Sequence, residues 1–327
     1  MADIIASRIP YYISQNTQTL KVELKVVQQG GVPPVNPQYT VVKNSYVDGT
    51  PEMLKINVSP FIPATYKHIP VVPIPTGVQT MDFGSELDVH IWANTVLETH
   101  KAYDGYVPLS LGAGFLWTDI VKNIACNGDS QFISTDRYEI DEIGWENNLG
   151  DIETETVNAG VGKIVMFPVN KNHIIDGATS LTITVRKAGA DIKKIKYIIV
   201  SEYDEARTYA FLNKYGAWET FVAVGGINES YASEAEEYRS FGDGQLATYN
   251  LNAETSVIVN TGWVDHNFKD LVKQLMVSPL IVEYKQDNTA RRVVLTTKEK
   301  AFYNKRREKL VNFQFTFKYA QKELTLV

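Results

Sequence analysis

The sequence predicts a mainly β fold, with an N-terminal β-sandwich followed by an α+β C-terminal part holding one clear helix. Three observations predict it. The 327 residues include 18 tyrosines and 13 phenylalanines, and Val, Ile and Thr are frequent, a composition suited to strands. Apolar and polar residues alternate with period two in several separate runs. Only one run carries the 3.6-residue period of an amphipathic helix, and it lies near the C-terminus.

In chain order, Leu20, Val22, Leu24 and Val26 alternate with Lys21, Glu23 and Lys25, which predicts a strand with one buried face. Gly30-Gly31-Val32-Pro33-Pro34 breaks it, and residues 38–43 and 54–58 read as further strands. Pro60, Pro63, Pro70, Pro73 and Pro75 then mark an edge or extended connector, because proline cannot donate to a ladder. Leu87, Val89 and Ile91 resume the alternation. In the middle, residues 109–117 are apolar and glycine-interrupted, while Leu181, Ile183 and Val185 and then residues 192–201 give strand signals. Phe211-Leu212-Asn213-Lys214-Tyr215-Gly216-Ala217-Trp218-Glu219 is expected to turn between two strands, with Asn213 and Gly216 suited to positive φ. Asp265 stands as an N-cap, and Phe268, Leu271, Val272, Leu275 and Met276 mark one helix face that Ser278-Pro279 ends. Val311, Phe313, Phe315, Phe317 and Tyr319 alternate in the last strand. The expected organisation is a fibronectin/Ig-like β-sandwich over 1–105, a second β-rich region over 106–205 and an α+β assembly domain over 206–327.

Composition narrows the function. The net charge is −6, which favours protein over nucleic acid or anionic membrane as the partner. Cys126 stands alone, so no internal disulfide forms, and the chain is expected to fold in a reducing cytoplasm. Met1-Ala2-Asp3-Ile4-Ile5 lacks the basic start of a secretory signal, and no apolar run approaches the length of a membrane span.

No catalytic, cofactor-binding or metal-binding residues are assigned, and the chain is not expected to be an enzyme. His68, His90, His100, His173 and His266 include no pair at helical spacing, although His90 and His100 flank one strand and its turn. Asp136, Glu139, Asp141, Glu142, Glu146, Asp151, Glu153 and Glu155 form the densest carboxylate cluster. It is expected to be a solvated loop, and its chemistry would also suit Ca²⁺. No GxSxG or GxxxxGK[ST] motif occurs; Gly112-Ala113-Gly114 and Gly225-Gly226 are expected to be tight turns.

Residues 291–309 hold Arg291, Arg292, Lys298, Lys300, Lys305, Arg306, Arg307 and Lys309 against Glu299 and Glu308. Such a segment could pair with an acidic loop of a neighbouring subunit, cover its own surface with lysine stems, or touch phosphate. Aromatic residues offer a second kind of contact, from Tyr11, Tyr12, Trp117, Trp145, Trp218 and Trp263. Trp218 and Trp263 are expected in the core. The candidate assembly contacts are Arg291, Arg292, Lys305, Arg306, Arg307, Trp145, Tyr11 and Tyr12.

Several blocks resemble a known family. They are Ile9-Pro10-Tyr11-Tyr12-Ile13, the strand at 20–26, Pro37-Gln38-Tyr39-Thr40-Val41, Asn57-Val58-Ser59-Pro60-Phe61-Ile62, the 211–219 turn, Val259-Asn260-Thr261-Gly262-Trp263-Val264 with the helix after it, and the closing strand at 313–319. In this order they resemble structural proteins of tailed phages that infect Bacteroidetes, including the crAss-like podoviruses. The blocks lie at both ends of the chain, and residues 70–204 add nothing to the likeness. The resemblance implies a virion part, made in the host bacterial cytoplasm: a subunit of the tail, the tail–neck ring or the baseplate. Its expected partners are copies of itself in a cyclic homo-oligomer and other virion proteins. The alternatives are a host-glycan-binding tail appendage and a jelly-roll capsid protein.

Overall fold

A computed structural model describes residues 4–6, 8, 10–28, 32–46, 49–62, 77–81, 86–103, 122–125, 131–135, 140–159, 164–169, 174, 176–200, 206–214, 218–239, 246–284, 290–297, 310–319 and 325–326. The fold is mainly β, with one α-helix among these residues.

The N-terminal part packs two sheets face to face. One has the order β1 (Ile4–Ala6), β8 (Val96–Tyr103), β7 (Glu86–Ala93), β3 (Thr19–Gln28) and β4 (Tyr39–Asn44); the other pairs β2 (Tyr12–Thr17) with β5 (Glu52–Asn57). The alternation of β3 explains the arrangement. Leu20, Val22, Leu24 and Val26 are all buried, and they meet Ile13, Leu54, Ile56, Leu87, Val89 and Ile91. β7 and β8 are joined through Asn94, whose φ of 56° suits a tight hairpin. Its side-chain amide donates to Gln15 Oε1 at 2.9 Å, and its carbonyl accepts from the Lys21 backbone at 2.9 Å, so the turn also clamps the two sheets.

A second five-stranded sheet has the order β12 (Ile152–Ala159), β11 (Ile140–Asn147), β14 (Ser180–Lys187), β15 (Ala190–Val200) and β9 (Lys122–Ala125). The acidic stretch expected as a loop contains the β11–β12 hairpin instead. Glu142 and Glu146 lie on its outer side, whereas Glu153 and Glu155 stand opposite Trp145 and Ile143 in the ladder and share the side on which Ile143, Trp145 and Val157 are buried. β14 and β15 meet at Ala188-Gly189, with φ of 49° and 76°. An alanine in the left-handed region is strained by about 1–2 kcal/mol, so Ala188→Gly is expected to leave the unfolding midpoint unchanged or raise it, whereas Ala188→Val should lower it.

The largest sheet has the order β18 (Asn228–Arg239), β19 (Leu246–Asp265), β22 (Leu310–Tyr319), β21 (Ala290–Leu295), β20 (Ile281–Tyr284), β16 (Arg207–Leu212), β17 (Trp218–Ala223), β10 (Phe132–Thr135), β13 (Ile164–Pro168) and β6 (Gln79–Met81), with β23 (Thr325–Leu326) beside β19. It therefore draws strands from all three sequence spans. At one end β10 and β13 send Ile133, Val165 and Phe167 into the core of the five-stranded sheet around Trp145. At the other end the sheet curls. Tyr209 of β16 and Phe317 of β22 are three ladder spacings apart, roughly 14 Å in a flat sheet, yet their rings stack at 4.7 Å. Phe221 of β17 likewise meets Phe315 of β22 at 6.2 Å. The inner face of the curl is an aromatic core of Tyr209, Phe211, Phe221, Phe268, Phe313, Phe315 and Phe317.

The helix α1 (Lys269–Val277) plugs this core with Leu271, Val272 and Leu275. Asp265 accepts from the Asn267 backbone at 2.8 Å and starts a 3₁₀ turn, His266–Phe268, that leads into it. Ser278 ends it and accepts from the Leu212 backbone at 3.0 Å, while Gln274 accepts from the Lys214 backbone at 3.2 Å. Asn213 does not take positive φ; it is buried, and its amide donates to Glu219 Oε2 at 3.3 Å.

One irregularity shapes the surface. β19 slips register between Asn260 and Trp263, where Gly262 has a φ of 70°. The bulge turns Trp263 outward, 67% exposed, which corrects its expected place in the core; Trp218 is buried as expected. A Cβ on Gly262 would stand 2.7 Å from Val224 Cγ2. Gly262→Ala is therefore expected to lower stability by about 2 kcal/mol or more, read from urea unfolding; an unchanged midpoint would show that the bulge relaxes freely.

Candidate functional site

One cluster of polar residues joins strands across the curled sheet. Tyr209 and Arg207 lie on β16, Glu283 on β20, Arg291 on β21, Tyr319 on β22 and Glu229 on β18. The ladders place Tyr209 opposite Glu283 and Glu283 opposite Arg291, all on the face of the aromatic core. Glu283 is 2% exposed. Its Oε1 accepts from Arg207 at 3.0 Å and from the Tyr209 hydroxyl at 3.1 Å, while its Oε2 has no hydrogen-bond partner among the described residues. Arg207 also donates to Tyr319 Oη at 3.2 Å and to Glu229. The Arg291 guanidinium lies 3.4 Å from the centre of the Tyr319 ring. Five strands that are not all neighbours in the ladder are thus tied by one ionic cluster.

The electrostatics follow from burial. Burial pulls the Arg207 pKa down, but the bond to Glu229 and the charge of Glu283 carry it above its ordinary value. Burial and the Glu283 charge raise both Tyr209 and Tyr319. Tyr197, on β15, is raised by burial and by Glu219. In the unfolded chain these tyrosines ionise near pH 10, whereas in the folded chain they hold their protons higher. The unfolded state binds fewer protons in that window, so this contribution to stability is complete below about pH 10 and is lost as the pH rises through the folded values. A near-ultraviolet titration is expected to show a late class of tyrosines ionising together with loss of the β signal. A single ordinary tyrosine transition in the intact fold would refute this.

The expected contacts divide. Arg291 joins the ionic cluster, and Arg292 is exposed on the opposite face, paired with Val282 in the ladder. Tyr12 is 56% exposed. Tyr11 is half-buried against the N-terminal core, with its backbone donating to Asn57 Oδ1 and Ser59 Oγ at 3.1 and 2.8 Å and its ring edge-on to His100. Trp145 is corrected: it is fully buried, its indole donates to Pro168 O at 3.1 Å, and it packs edge-on to Phe167, so it presents nothing to a partner. Lys305, Arg306, Arg307, Trp117 and Cys126 lie outside the described residues.

The histidines and carboxylates also find their places. His90 hydrogen-bonds with Thr99 and leans on Trp92, while His100, one position along the facing strand from Thr99, is buried beside Tyr11 and Glu98. Successive strand residues face opposite ways, so the two histidines do not converge. Among the described residues no group of three His, Cys, Asp or Glu could hold a metal ion. Much of the acidic hairpin is engaged in its own chain: Glu142 with Arg186, Asp141 with the Ala188 backbone, Asp151 with Asn147 and Glu155 with the Val78 backbone.

The second prominent feature is an open edge. β19 pairs with β22 only from Ser256 onward, so its residues 246–255, roughly 33 Å of strand, pair with β18 and, at Leu251 and Asn252, with β23. β18 has no other described strand beside it. Tyr231 on this arm is 61% exposed.

Sequence reasoning missed the cluster because its members are scattered from Arg207 to Tyr319. A usable signal was Glu283 inside the apolar run Leu280-Ile281-Val282-Glu283-Tyr284, where a carboxylate needs a buried partner. No helix among the described residues is long and apolar enough to cross a membrane. Comparison with protein-family models finds none that matches the chain, and comparison with the curated proteins finds no match.

Proposed function

We propose that the chain is a structural subunit of a tailed-phage virion, in the tail, the tail–neck ring or the baseplate, where it assembles with its own copies and with other virion proteins. The observation that carries this reading is the β18–β19 arm, a long hairpin that extends past β22, with no described strand beside β18 and with Tyr231 exposed. Apart from β23 beside Leu251 and Asn252, the arm is two-stranded among the described residues, and a two-stranded ribbon is marginal in water, so an arm of this length gains from a neighbour. Edges of this kind are liabilities in a monomer and templates in an assembly. The blocks that resemble phage structural proteins add support. Those at 211–219, 259–264 and 313–319 come from distant parts of the chain and contribute Phe211, Val259, Val264, Phe313, Phe315 and Phe317 to one core.

Mass photometry across a concentration range, with negative-stain microscopy, tests the proposal. Rings or tubes of defined order are expected. A strict monomer at every concentration, alone and after co-expression with the neighbouring open reading frames, would overturn it.

A further inference from the structure

We propose that the outer edge of β18, which has no described strand beside it, is the docking strand for the basic segment 298–309 of a second copy of this chain. The inference rests on the assembly reading and names the surface that would serve it. Charge points to the occupant. Residues 228–254 hold Glu229, Glu234, Glu236, Glu237, Asp243 and Glu254 against Arg239. Glu229 is bound to Arg207 and Glu254 to Lys318 within the chain. Glu236 and Glu237, further out on the arm, are exposed and form no ion pair among the described residues. The segment 298–309 carries Lys298, Lys300, Lys305, Arg306, Arg307 and Lys309 against Glu299 and Glu308, and its twelve residues match the twelve of β18.

Reach decides between the chain's own segment and a second copy's. The segment leaves β21 beside Thr316, which is level with Ile258 on β19, and returns at Leu310, level with Asp265. Glu236 is level with Tyr249, toward the tip of the arm. At ~3.3 Å per residue the path out to Glu236 and back to Leu310 is on the order of 80 Å, whereas a fully extended segment spans roughly 45 Å. The chain's own segment falls short of the outer arm, so a 298–309 segment docked there comes from another molecule. Alternate residues of β18 turn their N–H and C=O groups away from β19, and an added strand would take these bonds while its lysines and arginines meet the carboxylates. An arm on one subunit and a basic segment on the next make a heterologous contact, which closes a ring or extends a filament.

The test titrates a labelled, end-blocked synthetic peptide of residues 298–309 onto the full chain at low salt, alongside mass photometry. Saturable binding is expected, weakened tenfold or more by Glu236→Lys with Glu237→Lys, with slower hydrogen exchange along β18. The charge swap that adds Arg306→Glu and Arg307→Glu to those two changes is expected to restore assembly. A scrambled peptide bound as tightly, or reversal without effect, would overturn the inference. So would Glu236→Gln with Glu237→Gln raising the assembled fraction, since the carboxylates would then be guarding the edge. Wild-type rings without peptide binding overturn the docking strand and leave the proposed function standing. Peptide binding in a chain that forms no rings supports the docking strand and removes the ring.

Discussion

Replacing Arg207 with methionine is expected to destabilise the protein by about 3–5 kcal/mol, because it strands a buried carboxylate. Glu283 has a side chain only 3% exposed, and Arg207 is the cation it is bonded to. Methionine keeps much of the apolar stem and removes the charge, so the loss reports the ion pair and not the packing. The same substitution frees the Tyr319 hydroxyl and Glu229 from their shared donor. Glu283→Gln in the Arg207→Met background is expected to recover a large part of the loss, because an amide is far easier to bury than an unpaired charge. Urea unfolding of the two single variants and the double variant closes a mutant cycle, and the expected coupling between the residues is strong. A loss below about 1 kcal/mol for Arg207→Met would show that water reaches and solvates Glu283, and the cluster would lose its role as a fastening.

Trp145→Ala is expected to have an effect of similar size, about 3–5 kcal/mol, for a different reason. The indole is fully buried between the five-stranded sheet and the β10–β13 wing of the large sheet, edge-on to Phe167 at 6.2 Å. Its removal opens a cavity between two sheets that cannot both collapse onto it. Trp145→Phe is expected to fall between wild type and alanine, since it keeps most of the ring but leaves Pro168 O without the indole donor. The Arg207 and Trp145 losses should add, because the two residues lie in separate cores. If Trp145→Ala proves mild and instead abolishes assembly, its burial in the chain would be refuted and its original assignment as a contact restored.

The strands that sequence alone revealed are those with one wet and one dry face. Leu20 to Val26, Leu87 to Ile91, Leu181 to Val185 and Phe313 to Tyr319 alternate because each contributes to a single core, and the helix after Asp265 is legible through its cap and its apolar stripe. The 140–159 hairpin was obscured because its carboxylates stand on both faces, Glu142 and Glu146 on one, and Glu153 and Glu155 opposite buried Trp145 and Ile143 on the other. The curl of the large sheet had no local signature, since Tyr209 meets Phe317 across more than a hundred residues. Trp263 was misplaced for a related reason: a register slip at Gly262 inverts the inside–outside parity that alternation assumes. Of the ionic cluster only Arg291 stood out, and it did so as part of a charge count; the partner that gives it meaning is a ring on another strand.

The position of β6 in the large sheet carries a consequence for how the polypeptide is made. Gln79–Met81 pairs with β13, and the same sheet includes Leu310–Tyr319, more than two hundred residues later in the chain. At ordinary elongation rates the ribosome needs roughly tens of seconds to produce the intervening residues. Throughout that interval the early strands are out of the tunnel while the last ones have not been translated. The aromatic side chains of β16 and β17 then wait without Phe315 and Phe317 to cover them. Chaperone occupancy of nascent chains should accordingly peak once residues 207–223 emerge and fall only when residues 310–319 have followed, a profile that ribosome-associated capture can follow codon by codon.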